Sequence, residues 1–365
     1  MWLQGKTCRS YFLSDIMKNK LSGAAGEFIG SFADLGTLLP LVIGLIAFNG
    51  ISAGPAIVLL GITYIFTGAY YRLPVPVQPL KAVAIIAIAT GASIGEIRAA
   101  AYWMAGIMLV LGITRLANKL NDVFPRVLIR GLQLNLGIMM IRTGIKFILS
   151  YPDSLASVIL KTHKVIESVS AAGVFPPIAD FRTAFILLVI PQIPLTIGNA
   201  VLATRDCAVK YFGDKSERVT PAKLATTIGF GNLAAALAGG VPVCHGAGGM
   251  TAHYGLGART GAACMIIGSL LLAVGVLKGN SAAVMLSMMP ASVLGILLAY
   301  VGVRHAMLAS DAFRSPATAA IVLCMGVTGW FTNNLLITLG VGLAAKLLLD
   351  GVFLMRRRNL MTADE

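Results

Sequence analysis

The chain is short of charge. Asp, Glu, Lys and Arg make up only 12% of its 365 residues, about half the share usual in a soluble domain, while 57% are hydrophobic. So little charge cannot clothe a water-facing surface, which excludes a soluble globular protein. The five cysteines (Cys8, Cys207, Cys244, Cys264, Cys324) show no close paired spacing, so free thiols are expected rather than a disulfide or zinc framework. Histidines number four, and His245 and His253, with Cys244 beside the first, lie eight positions apart. That is more than two helical turns, too far for one ion, so no metal and no cofactor is expected. No paired carboxylates or nucleophile–base set stands near the apolar breaks described below, which leaves an enzyme without its chemistry.

Long apolar runs, by contrast, are abundant. Stretches near 20 residues recur along the whole length, as a hydrocarbon layer of about 30 Å requires of a helix. The fold class is therefore an all-α polytopic membrane protein. The segments run 27–48, 51–71, a broken one at 74–91, 96–113, 126–149, 183–204, 220–239, a broken one at 241–257, 260–277, 281–303, 316–331 and 333–350, twelve in all. If residue 1 is cytoplasmic and every segment crosses, 19 of the 29 basic residues fall on the cytoplasmic side and four outside. That asymmetry is the expected Lys/Arg bias, with both termini cytoplasmic in a cell (inner or plasma) membrane. The net charge of +14 is thus topological and does not indicate nucleic acid. The stretch before the first segment carries Lys6, Arg9, Asp15, Lys18 and Lys20 and does not read as a cleavable signal peptide.

One short peptide occurs twice. Leu73-Pro74-Val75-Pro76-Val77-Gln78-Pro79-Leu80-Lys81 and Gly239-Gly240-Val241-Pro242-Val243-Cys244-His245-Gly246 share a Val-Pro-Val triplet at a spacing of 166. Pro55-Ala56 and Pro221-Ala222 repeat that spacing, and Pro125 and Pro290 come within one of it. Five segments precede the polar stretch 150–182, so the second unit starts on the opposite face and is inverted. The expected organisation is a cytoplasmic segment 1–26, a first repeat 27–149, a connector or interfacial helix 150–182, a second repeat 183–350 and a cytoplasmic tail 351–365. Pro- or Gly-interrupted segments at corresponding positions of two halves point to a transporter binding site.

Pro74, Pro76 and Pro79 cannot all lie inside a helix. The spacing predicts extended chain at Val75–Gln78, a short helix from Pro79 to Gly91, extended chain at Val241–Cys244, and a second short helix from His245 to Gly257. Both would start near mid-membrane with free N–H groups facing each other, a ready anion site. Gln78, Pro79, Leu80 and Lys81 from one break, and Cys244, His245 and Gly246 from the other, are the candidate solute-binding residues. On 183–204, Gln192, Thr196 and Asn199 share a helix face and join them. On the first segment Glu27, Ser31, Asp34 and Thr37 share one face. Asp34 and Glu27 are candidates for coupling to H+ or Na+, with a capping role open for Glu27 and a structural pairing with Lys81 open for both.

The stretches Gly26–Thr37, Pro74–Ala82, Pro191–Thr196 and Pro242–Gly249 resemble the bacterial, archaeal and plant molybdate transporter family of the sulfate permease superfamily. The resemblance implies the inverted-repeat fold of the uracil and sulfate permeases, divided into a core and a gate, with solute between the two broken segments. It implies a tetrahedral oxyanion as solute, molybdate first and sulfate second, carried by alternating access. An anion channel is the reading of a different class, and a homodimer is compatible with the chain. Two departures stand out: the polar stretch 150–182 replaces a usual pair of spans, and a carboxylate often found on the eighth segment has no match on the Gln192–Asn199 face.

Overall fold

The computed structural model describes residues 23–122, 125–150, 174–288 and 290–361, and these are helical almost throughout. Helices α1 (Ala24–Ser31) and α2 (Leu35–Asn49) form a bent first span, followed by α3 (Ala53–Tyr71), strand β1 (Gln78–Pro79), α4 (Lys81–Thr90), α5 (Ile94–Ile113) and α6 (Arg126–Ser150). A long rod then joins α7 (Ile178–Ala184), α8 (Ile190–Leu195) and α9 (Thr204–Phe212) through π-helical turns at Phe185–Val189 and Thr196–Ala203. Next come α10 (Pro221–Ala238), β2 (Val243–Cys244), α11 (Ala247–Gly255), α12 (Ala262–Lys278), α13 (Ala282–Ser287), α14 (Ala291–Ala306), α15 (Pro316–Thr332) and α16 (Leu335–Met361).

Local signals set many of these limits. Ser93 and Glu96 form a reciprocal capping box at the start of α5, and Thr220 caps α10 with Pro221 at its first position. Gly50, Gly91 and Gly239 end α2, α4 and α10 in the left-handed conformation. Among the described residues, seven helical stretches are long and apolar enough to cross a membrane. Large side chains such as Ile113, Leu277 and Phe331 stand outward and exposed, a surface that suits lipid rather than water.

Several expected segments change shape. The first span bends at Phe32–Asp34, so Glu27 and Ser31 lie on α1, whereas Asp34 is the residue before α2 and Thr37 lies within it. No continuous face unites the four. Ser31 Oγ donates back to Phe28 O at 2.6 Å, a local competitor of helical bonding. Segment 281–303 is two helices, because Pro290 precedes the first residue of α14. The rod begins at Ile178, earlier than expected, and α16 runs on to Met361. The interfacial helix expected within 150–182 falls mainly on 151–173, outside the described residues.

Packing follows the repeat. At the 166-residue spacing α3 corresponds to α10, α5 to α12, and α6 to α14. In the structure α3 packs on α12, α10 packs on α5, and α6 packs on α14. A two-fold axis between inverted units requires this exchange. The α6–α14 crossing is close because Gly137 meets Gly302 and Gly144 meets Gly295; a methyl group on Gly144 would lie 2.5 Å from Gly295 O. The two breaks meet as well: β1 and β2 are antiparallel, with Gln78 opposite Cys244 and Pro79 opposite Val243.

Candidate functional site

Irregular backbone in hydrocarbon must find partners inside the protein. At the two breaks it does so from both repeats. Leu80 N–H donates to Pro242 O (2.9 Å), and Cys244 Sγ approaches Pro79 O (3.5 Å). Asn232 on α10 reads both backbone groups of Val243, donating to its carbonyl (2.6 Å) and accepting from its N–H (3.1 Å). His245 Nδ1 lies 2.9 Å from Pro76 O and its Nε2 lies 2.8 Å from Thr227 Oγ1, which in turn meets Tyr71 OH at 2.7 Å. These bonds delay the first short helix. It starts at Lys81 rather than Pro79, because Pro79 and Leu80 are taken up in pairing with the other break. The second starts at Ala247, two residues later than expected.

A buried polar chain crosses this junction. Gln78 Nε2 donates to both oxygens of Asp34 (2.6 and 2.7 Å), while Gln78 Oε1 accepts from Lys81 Nζ. Tyr64 OH adds a longer contact to Asp34 at 3.4 Å. Asp34, Gln78 and Lys81 are 3%, 1% and 6% exposed, so an ammonium and a carboxylate are kept apart by one amide inside the protein. Only glycine fits beside them. A methyl group on Gly249 would lie 2.7 Å from Gln78 Nε2 and 2.8 Å from Asp34 Oδ2, and one on Gly246 would strike Gln78 Oε1.

Neither helix start is the open anion site that the sequence suggested. The N–H groups of Ala82 and Val83 on α4 donate to Gln192 Oε1 (2.8 and 3.3 Å), so a side-chain amide already caps that helix. The first turn of α11 has the Asp34 carboxylate beside Gly249, where a helix start favours negative charge.

What remains open is a cavity of about 10 Å³, room for roughly one water. Lys81, Gln192, Leu195, Asn199, Ala200 and Cys244 line it on one side, and Gln133, Leu136 and His305 on the other. Its polar lining, among the described residues, is an ammonium, three amides, an imidazole and a thiol, without a carboxylate. Asp34 stands one layer back, behind Gln78. Such a lining favours a negative solute, and the space is too small for a tetrahedral oxyanion until the walls separate.

Of the residues singled out from sequence, Lys81, Gln192, Asn199 and Cys244 line the cavity. Gln78 joins Lys81 to Asp34, and Thr196 accepts from Gln192 Nε2 (2.8 Å), steadying the amide that caps α4. Pro79 and Leu80 act through backbone, Gly246 through its lack of a side chain, and His245 ties the breaks together with both ring nitrogens engaged. Glu27 is elsewhere: its carboxylate accepts from the N–H groups of Arg259, Thr260 and Ala263 at 2.8, 2.9 and 3.2 Å and caps α12. The sequence reading omitted Gln133 and His305. Two amides in the apolar run 126–149, Gln133 and Asn135, were a usable signal for the first.

Residues 26–140 and 184–304 match the family model described as the molybdate transporter of the MFS superfamily, and the chain belongs to this molybdate transporter family. It is 27% identical to "Molybdate transporter 1" of Arabidopsis thaliana, over 86% of this chain and 85% of that protein. "Molybdate transporter 2" of the same plant is 26% identical, covering 86% and 84%. "Molybdate transporter 1" of Chlamydomonas reinhardtii is 25% identical, covering 83% and 88%. Among solved structures, the murine solute carrier 26 family member A9 anion transporter in the inward-facing state aligns with a TM-score of 0.59 at 14% identity, covering 95% of this chain and 72% of that one. The transmembrane domain of a cyanobacterial bicarbonate transporter, BicA, aligns at 0.54 and 15%, covering 88% and 96%. At these identities the likenesses show the fold, which the chain shares with both proteins. The chain is a multi-pass membrane transporter.

Proposed function

We propose that the chain is a secondary active transporter that imports a tetrahedral oxyanion, molybdate first and sulfate second, by alternating access. The observation that carries this reading is the cavity between the broken segments and the α6–α14 pair, lined, among the described residues, by Lys81 and neutral hydrogen-bonding groups and without a carboxylate. The names of the curated relatives support molybdate as the solute. In this reading the breaks and the helices around them form a core, and α6 with α14, α15 and α16 forms a gate that parts from it to admit solute. The oxyanion takes Lys81 Nζ from Gln78 Oε1 and draws on the amides of Gln192 and Asn199. A charge-assisted bond of this kind contributes roughly 1.5–3 kcal/mol. Coupling runs through Asp34 to H+ or Na+, in an inner or plasma membrane with both termini cytoplasmic.

Uptake of radiolabelled molybdate into proteoliposomes, with sulfate and tungstate as competitors, tests the reading. Saturable uptake competed by tungstate is expected; uptake that neither saturates nor responds to either competitor overturns it.

A further inference from the structure

The gate side of the cavity contains a built donor that the oxyanion reading leaves unused. Gln133 on α6 is 3% exposed and lines the cavity, and its Oε1 accepts from Arg130 Nη1 at 3.0 Å. A guanidinium can only donate, so the atom it meets is the amide oxygen, which settles which end of the Gln133 amide is which. The NH2 group is then the end of the amide that Arg130 leaves free. Among the described residues no protein acceptor is paired with Gln133 Nε2, which leaves that donor available to whatever the cavity holds. Arg130 is itself held: its Nη2 lies 2.6 Å from Asp311 Oδ2, beyond the end of α14. With its charge matched by Asp311, Arg130 is a brace for Gln133 rather than a ligand for an anion. Leu136, one turn along α6, lines the same space, so Gln133 is the polar group that α6 gives the cavity. From α14, His305 adds a second polar group to that wall.

We propose that Gln133 is a gate-side ligand of the transported oxyanion and that Arg130, fixed by Asp311, is the positioning residue that turns the Gln133 amide NH2 into the cavity. This rests on the oxyanion reading of the same cavity. A tetrahedral oxyanion has acceptor oxygens on every side, so it can be held by Lys81 from the core and by Gln133 from the gate together. Closing the gate on an empty site leaves the Gln133 donor at most one water as acceptor, whereas closing it on the oxyanion gives it a charged one. The gate thereby recognises solute instead of merely covering it.

The test is equilibrium binding of radiolabelled molybdate to the purified full chain, with Lys81→Met measured alongside. Gln133→Leu is expected to weaken binding about tenfold, or 1.4 kcal/mol. Gln133→Glu, which sets a carboxylate against a dianion, should weaken it at least as much. Arg130→Met should match Gln133→Leu, and the double variant should be no weaker than either single one, because both remove the same donor. If Gln133→Leu is not monodisperse, Gln133→Asn replaces it; it keeps the amide but withdraws it by one methylene, and the same loss is expected. Parent-like affinity in monodisperse Gln133 variants, with Lys81→Met impaired, overturns this inference and leaves the oxyanion site standing. Parent-like affinity in Lys81→Met overturns the site itself. Fully additive losses in the double variant overturn the positioning role of Arg130.

Discussion

Gln78 lies directly opposite Cys244 in the β1–β2 pair, and the same two residues are counterparts at the 166-residue spacing that relates the two halves. They therefore sit on the pseudo-two-fold axis. The axis relates backbones, and the chemistry on either side of it differs. Gln78 turns into the polar chain between Asp34 and Lys81, while Cys244 presents a thiol to the cavity. Exact symmetry would give both half-helices the same solute contact. The divergence assigns the charge relay to one break and a small neutral wall to the other.

That wall can be probed chemically. A small polar methanethiosulfonate reagent entering from water should reach Cys244 when the gate is open and block molybdate uptake. Cys244→Ser should transport yet resist the reagent, and saturating molybdate should protect the parent. Cys207 and Cys264 are buried, and Cys324 lies on an exposed face of α15. Inhibition that persists unchanged in Cys244→Ser would remove Cys244 from the pathway.

Lys81 has two tasks, binding solute and balancing Asp34, and a pair of variants can separate them. Lys81→Met strands a buried carboxylate, and breaking a buried pair in this way costs roughly 3–5 kcal/mol. A lower melting temperature in detergent is expected, together with a 10- to 100-fold rise in the molybdate Kd. Adding Asp34→Asn removes the stranded charge and should restore most of the stability without restoring affinity. If the double variant regains affinity as well, the part played by Lys81 is structural only.

The breaks were legible in the sequence because prolines act locally: a single one such as Pro40 is tolerated inside α2, but Pro74, Pro76 and Pro79 stand too close together to share one helix. Apolar length made most spans readable for the same reason. The pairing of the breaks into strands was not legible, since two residues such as Gln78 and Pro79 form a strand only when Cys244 and Val243 lie alongside. Lys81, Gln78 and Asp34 were each identifiable as polar groups at membrane depth, but the order of the chain, with the amide between the charges, is set by the bend at Phe32–Asp34. Glu27 was singled out for its charge, and its engagement with the start of α12 depends on packing between residues 232 positions apart. Gln133 and His305 escaped notice because only the α6–α14 crossing brings them to the cavity.

The glycines of the second break give a sharp control. Gly249→Ala would place a methyl group 2.7 Å from Gln78 Nε2, and Gly248→Ala would meet nothing within 4 Å. The first should cost about 1–3 kcal/mol of stability and most of the uptake, as overpacked sites do. The second should be neutral or stabilising by up to about 1 kcal/mol, because alanine is the better helix former. Thermal unfolding and uptake measured side by side check both; equal behaviour of the two variants would mean that the relay does not need its close fit.

Bringing a dianion into a cell with a negative interior is uphill by about 2.3 kcal/mol per charge per 100 mV, roughly 4.6 for both charges. At least two accompanying cations cancel that cost, so a proton-accepting group linked to the site is needed if protons drive uptake. Asp34 is linked through one amide. While it is ionised, it accepts both contacts from Gln78 Nε2 and thereby holds Gln78 Oε1 on Lys81. Protonated, it becomes a donor in its own right, loosens that amide and leaves Lys81 free for the oxyanion. Proton and solute then favour each other's binding, and the coupling is reciprocal. Uptake should therefore fall as external pH rises. Asp34→Asn, fixed in the neutral form, should lose this pH dependence and the ability to accumulate molybdate against a gradient, while still exchanging solute for solute across the membrane. Accumulation equal to the parent's under the same pH gradient would show that Asp34 does not couple, and would leave it as the structural counter-charge of Lys81.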